Sequence, residues 1–102
     1  MSKGRYLWWP YVRGVVRAYP ERKGEGLHGV AVREQEAVQA AIEATERMSG
    51  GAERLKVIQM VHWDRVHTLD GAALAVPCDR ATAARWQRKF FEAVARNRDL
   101  LD

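Results

Sequence analysis

Apolar residues recur at helical spacing along most of the chain. From Pro10 to about Ala18, Tyr11, Val12, Val15, Val16 and Tyr19 share one side, and Arg13 and Arg17 take the other. Pro10 suits a first helical turn, where its missing N–H is not needed. Gly14 weakens this helix by up to ~1 kcal/mol relative to alanine, so it needs packing to hold. A second helix starts at Val30 or Ala31 and runs to about Met48, where Ser49-Gly50-Gly51 closes it. Its apolar stripe is Val38, Ala41, Ile42, Thr45 and Met48, while Glu34, Glu36, Glu43, Glu46 and Arg47 fall on mostly exposed positions. A third helix runs from Ala52 to about Arg65. Leu55, Val57, Ile58, Met60, Val61 and Trp63 give it a broad apolar surface suited to the centre of a core. Gly26 to Val32 is the nearest thing to a strand pattern and is too rich in glycine to be one. The pattern predicts an all-α fold: a small helical domain.

The stretch from Thr68 to Phe91 organises the rest. Thr68 suits an N-cap and Asp70 a first turn. Leu69, Ala72, Ala73 and Val76 lie on one face, and small Ala73 lets a second helix cross closely. Pro77 stops this helix, because it lacks an N–H and pushes Val76 out of the α region. Asp79 is the natural N-cap of a longer helix, whose buried side draws on Cys78, Ala83, Trp86, Phe90 and Val94. Arg80, Arg85, Arg88 and Lys89 then point outward or border the core. Short helix, turn, longer basic helix is the order of a helix-turn-helix, at about residues 68–94, and Leu100-Leu101 follow as a tail that folds back or frays.

Charge sharpens this picture. The chain has 102 residues and a formal net charge of +4. Residues 1–23 carry +5, residues 24–79 carry −4 and residues 80–98 carry +5. Such polarisation is the footprint of a polyanion binder. The organisation follows: residues 1–29 form a basic, aromatic N-terminal helix and linker, and residues 30–102 form the helical domain with the helix-turn-helix. Met1 to Arg5 reads as a disordered basic arm, and Pro20 to Gly29, with its proline, glycines and charges, as the linker. The Trp8-Trp9 pair, among apolar neighbours, reads as core or docking surface rather than as a base-stacking platform.

Several residues carry a resemblance. Val57-Ile58-Gln59-Met60-Val61-His62-Trp63, followed by Thr82-Ala83-Ala84-Arg85-Trp86, stands in the order found in small phage transcriptional regulators of the ArpU and RinA type, and Tyr19-Pro20 fits as well. Thr68 to Val94 also resembles the helix-turn-helix of sigma-factor C-terminal DNA-reading domains. The resemblance spans Trp9 to Val94. It departs at the turn, where Pro77 holds the position usually given to glycine, so the turn is built differently. The resemblance implies a DNA-binding regulator of transcription, of phage or prophage origin.

Other chemistries find little support. His62, Asp64 and His67 lack a nucleophile with context, and no zinc-type spacing accompanies Cys78. Gly24, Gly26 and Gly29 space as a dinucleotide-binding loop, but no strand precedes them. We therefore expect no enzyme activity, no cofactor and no metal. The single cysteine forms no internal disulfide, and no apolar run approaches the ~20 residues a membrane span needs. The expected location is the cytoplasm. The expected partner is double-stranded DNA, contacted through Asp79, Arg80, Ala81, Ala84, Arg85, Arg88 and Lys89. Arg80, Ala81, Ala84, Arg85 and Arg88 are placed to reach base edges or flanking phosphates, and Lys89 and the N-terminal arginines to hold phosphates. A homodimer would add buried surface to so small a domain. The alternative is a helical protein–protein adaptor, contacting RNA polymerase or a phage packaging component through Trp8, Trp9 and the acidic helix.

Overall fold

The structure is a computed structural model that describes residues 7–22 and 28–101. The N-terminal arm and the linker residues 23–27 lie outside the described residues. Five α-helices follow one another: α1 (Trp9–Arg22), α2 (Val30–Glu46), α3 (Gly51–Ile58), α4 (Leu69–Ala75) and α5 (Arg80–Asn97). Directly after α3 comes a π-helical turn, Gln59–Trp63. The fold is all-α, and no strand occurs among the described residues.

Two clusters hold it together. In the larger one, Val12, Val15 and Val16 of α1 meet Ala37, Val38 and Ala41 of α2, with Ile58, Phe90, Phe91 and Val94. In the smaller one, Val57 meets Ala72, Ala73, Val76 and Ala83, with Met60, Leu69 and Trp86 packed at its border.

The helix ends differ from the sequence pattern in instructive ways. α1 runs past Ala18 to Arg22 and takes in Pro20, which the composition assigns to the linker. A proline there removes one local bond, the one its N–H would have donated to the Val16 carbonyl. Trp63 Nε1 donates to that carbonyl instead, at 2.8 Å. α2 ends at Glu46, so Met48 leaves the stripe expected for it and stands 42% exposed. The chain then turns tightly. Gly51 needs to be glycine, because a Cβ there would run into the Thr45 carbonyl oxygen and lie 2.9 Å from that of Glu46. Glu34 is buried rather than exposed. The Tyr11 hydroxyl donates to its Oε2 at 2.7 Å and in turn accepts from Arg98 Nε at 3.3 Å. Tyr11 therefore sits at the rim of the core, ring partly exposed and hydroxyl anchored, not on its apolar side.

The third helix is not regular to Arg65. It widens after Ile58, so that Asp64 N–H reaches back five residues to the Gln59 carbonyl at 2.7 Å. Arg65 then turns the chain with φ at +57°. At the other end, Asp99 takes φ +62°, and Leu100 N–H returns to the Ala95 carbonyl at 2.8 Å. This is the usual left-handed helix stop with aspartate in the glycine position. Leu101 packs back against the core.

Candidate nucleic-acid interface

The turn between α4 and α5 is built by the residues the sequence marks for it. Thr68 Oγ1 accepts from Gly71 N–H at 3.1 Å and caps α4. Val76 is extended, at φ −105° and ψ 106°, as a residue before proline must be. Asp79 Oδ1 accepts from Thr82 N–H at 2.8 Å and caps α5. Hydrogen bonds from the Thr82 side chain and then from its backbone N–H hold the Asp79 carboxyl below its ordinary pKa. Ala72, Ala73 and Ala83 are buried between the helices, where small side chains allow close approach. Pro77 is exposed and serves only the turn.

The contact residues expected on α5 do not all fall together. Ala81, Arg85 and Lys89 are exposed and form an outward strip. Arg80 is exposed at its start, with Nε 2.6 Å from Asp70 Oδ1. An ion pair so open to water contributes ~0–1 kcal/mol and yields readily to another anion. Ala84 and Arg88 lie on the flank and line a shallow groove with Trp9, Pro10 and Gln87. Arg88 also lies 4.0 Å from Glu92. Asp79, as a cap, has its carboxylate engaged with its own helix. α5 is therefore covered on one more side than its sequence suggests. Phe91 and Ala95 are buried along with Ala83, Phe90 and Val94, and Trp9 of α1 packs on Phe91 with ring centroids 4.6 Å apart. Trp8 and Trp9 are half-buried against the core. Trp86 borders the smaller cluster and carries Arg54 over its ring at 5.7 Å.

A second set of residues gathers where α1, the π turn and α5 meet. His62 is 3% exposed. Its Nδ1 accepts from Arg17 Nε at 3.2 Å, and its Nε2 lies 2.6 Å from Gln87 Oε1. Arg17 has no acceptor to offer and the Gln87 oxygen has no proton, so the imidazole is neutral with its proton on Nε2. Burial above all, and the charges of Arg17, Arg13 and Arg65, push its pKa down to about 4, against the hydrogen bond that Nε2–H donates to Gln87, which favours protonation. His62 thus joins three elements as a neutral relay. Asp64 turns away to Gln59 Nε2 at 3.3 Å and His67 is exposed. No cluster of three metal-ligating side chains forms among the described residues. The sequence offered one signal for the relay, a histidine inside an apolar run.

No family model matches the chain, and neither a curated protein nor a solved structure matches it. No helix among the described residues is long and apolar enough to cross a membrane.

Proposed function

We propose that this chain binds double-stranded DNA and regulates transcription, in the manner of the phage regulators its sequence resembles. The observation that carries the reading is the outward strip of α5. Ala81, Arg85 and Lys89 stand free on a helix that begins at a capped turn and is braced from behind by α4. Such a helix enters the major groove with its first turns. Arg85 is the residue best placed to pair with guanine, and Lys89 lies one turn on, where the phosphates run. Arg80 joins them once Asp70 releases it.

The test is selection of bound sequences from random duplex DNA, followed by titration against selected and scrambled duplexes at two salt concentrations. Wild type should prefer the selected duplex. Arg85→Ala should cost about 1–3 kcal/mol on it and relax the preference at one base pair. Lys89→Ala should weaken both duplexes alike and lower the salt slope by about one contact. Equal, weak binding to both by wild type would favour the adaptor. That second reading draws on Leu7 and Leu74, which stand 81% and 84% exposed.

A further inference from the structure

Arg17 is held in an unusual way. Its Nε–H is committed to a buried, neutral histidine, and that histidine is held by Gln87 of α5. The guanidinium is aimed, yet its charge is not offset. Among the described residues no carboxylate lies within ion-pair distance of Arg13, Arg17 or Arg65, and no other hydrogen bond leaves these three side chains. Arg13 stands one turn before Arg17 on α1 and is exposed. Arg65 follows the π turn and is exposed too. Partial burial, and then the nearby charges of Arg65 and Arg13, lower the pKa of Arg17.

Three neighbouring arginines without an ion-pair partner leave their charge uncompensated, and Arg65 adds backbone strain. It sits at φ +57°, a region that suits glycine and that side-chain-bearing residues enter at a cost. Both features make sense if an anion completes the arrangement. We propose that Arg13, Arg17 and Arg65 form a cradle for a backbone phosphate of DNA, with Gln87 and His62 as positioning residues that aim Arg17. The cradle adjoins α5 directly, since Gln87 neighbours Arg88 and lines the groove between α1 and α5 with it. It lies on the α1 side of α5, and as a DNA contact it rests on the DNA-binding reading above.

Arg65→Gly makes a clean test, because glycine relieves the φ +57° conformation while removing the charge. Arg13→Ala serves as a second variant on an exposed helix position. Arg33→Ala, an exposed arginine on α2, controls for net charge. The full-length protein and each variant are titrated with the selected and the scrambled duplex across a salt series. Arg65→Gly and Arg13→Ala should each weaken both duplexes several-fold and reduce the slope of log K against log salt by about 0.9, the value for one lost phosphate contact. Arg33→Ala should leave the slope unchanged. If wild type prefers the selected duplex but Arg65→Gly and Arg13→Ala bind like Arg33→Ala, the cradle is wrong and the α5 reading stands. If wild type does not discriminate but the slope still falls in both variants, the cradle stands and sequence-specific reading is wrong. Wild type that binds neither duplex overturns both.

Discussion

The two hydrophobic clusters are built on different principles. The larger uses bulk: Phe91, Ile58 and five buried valines fill the space between α1, α2, α3 and α5. The smaller uses closeness: three alanines and two valines let α4 lie tight against α5 and α3, burying little area per residue. The difference teaches where each region finds its stability. Burial of apolar area contributes ~25 cal/mol per Å², so the larger cluster carries the fold. The α4 region depends proportionately more on its caps, Thr68 and Asp79, and on the turn set by Pro77. It is the thinly cored end that presents the basic strip.

The sharpest way to break that comparison is Phe91→Ala. Phe91 is fully buried and touches Trp9 and His62. The loss should be ~3–5 kcal/mol, as for other buried aromatics, and chemical denaturation would measure it. A loss below 1 kcal/mol would show that the larger cluster does not carry the fold.

Acid should act on the larger cluster first. The His62 pKa is about 4 in the folded chain and 6.5 when exposed, so between these values the unfolded chain binds more protons. The stabilisation is full above pH ~6.5 and is lost as pH falls toward ~4, in total on the order of 3 kcal/mol. Protonation would also set Nδ1–H against Arg17 Nε–H, donor against donor. Denaturation midpoints across pH 4–7 check this, and His62→Gln should flatten the dependence.

The smallest effect belongs to the α4 end. Thr68→Ala removes the cap on Gly71 N–H and should cost ~1 kcal/mol. Amide exchange should show the loss concentrated in residues 69–76, leaving α1 and α2 protected as before.

The all-α class, both caps of the α4–α5 unit and the closing Gly50-Gly51 were legible in the sequence because they depend on neighbours a few residues away. Thr68, Asp79 and Pro77 act within one turn. What was not legible depends on partners far along the chain. Glu34 reads as a solvated acid until Tyr11 is brought to it. Phe91 and Ala95 fall outside the buried side that the spacing assigns to that helix, yet both are buried, Phe91 beneath Trp9 of α1. Trp86 reads as core, yet it is capped by Arg54 and stays half-open, so its truncation should cost less than that of Phe91. Of the expected contact residues, the structure sets Arg85, Lys89 and Ala81 outward together, while Ala84 and Arg88 border α1 and Asp79 is engaged as a cap. The π turn has no sequence signature that periodicity detects, since widening by one residue merely looks like a noisy helix.

Pro20 has one more consequence. A helix closes its turns with bonds between residues four apart, yet a short one is marginal in isolation and draws most of its stability from packing. By deleting one such bond and accepting its replacement from Trp63, α1 hands part of its closure to a donor 47 residues away. The last turn of α1 is therefore a tertiary contact in the guise of a local one. Cut out as a peptide, α1 would fray from Val16 onward. Within the intact chain the Trp63 indole senses whether that turn has closed, which makes its indole N–H resonance a built-in gauge of how firmly the N-terminal helix is seated.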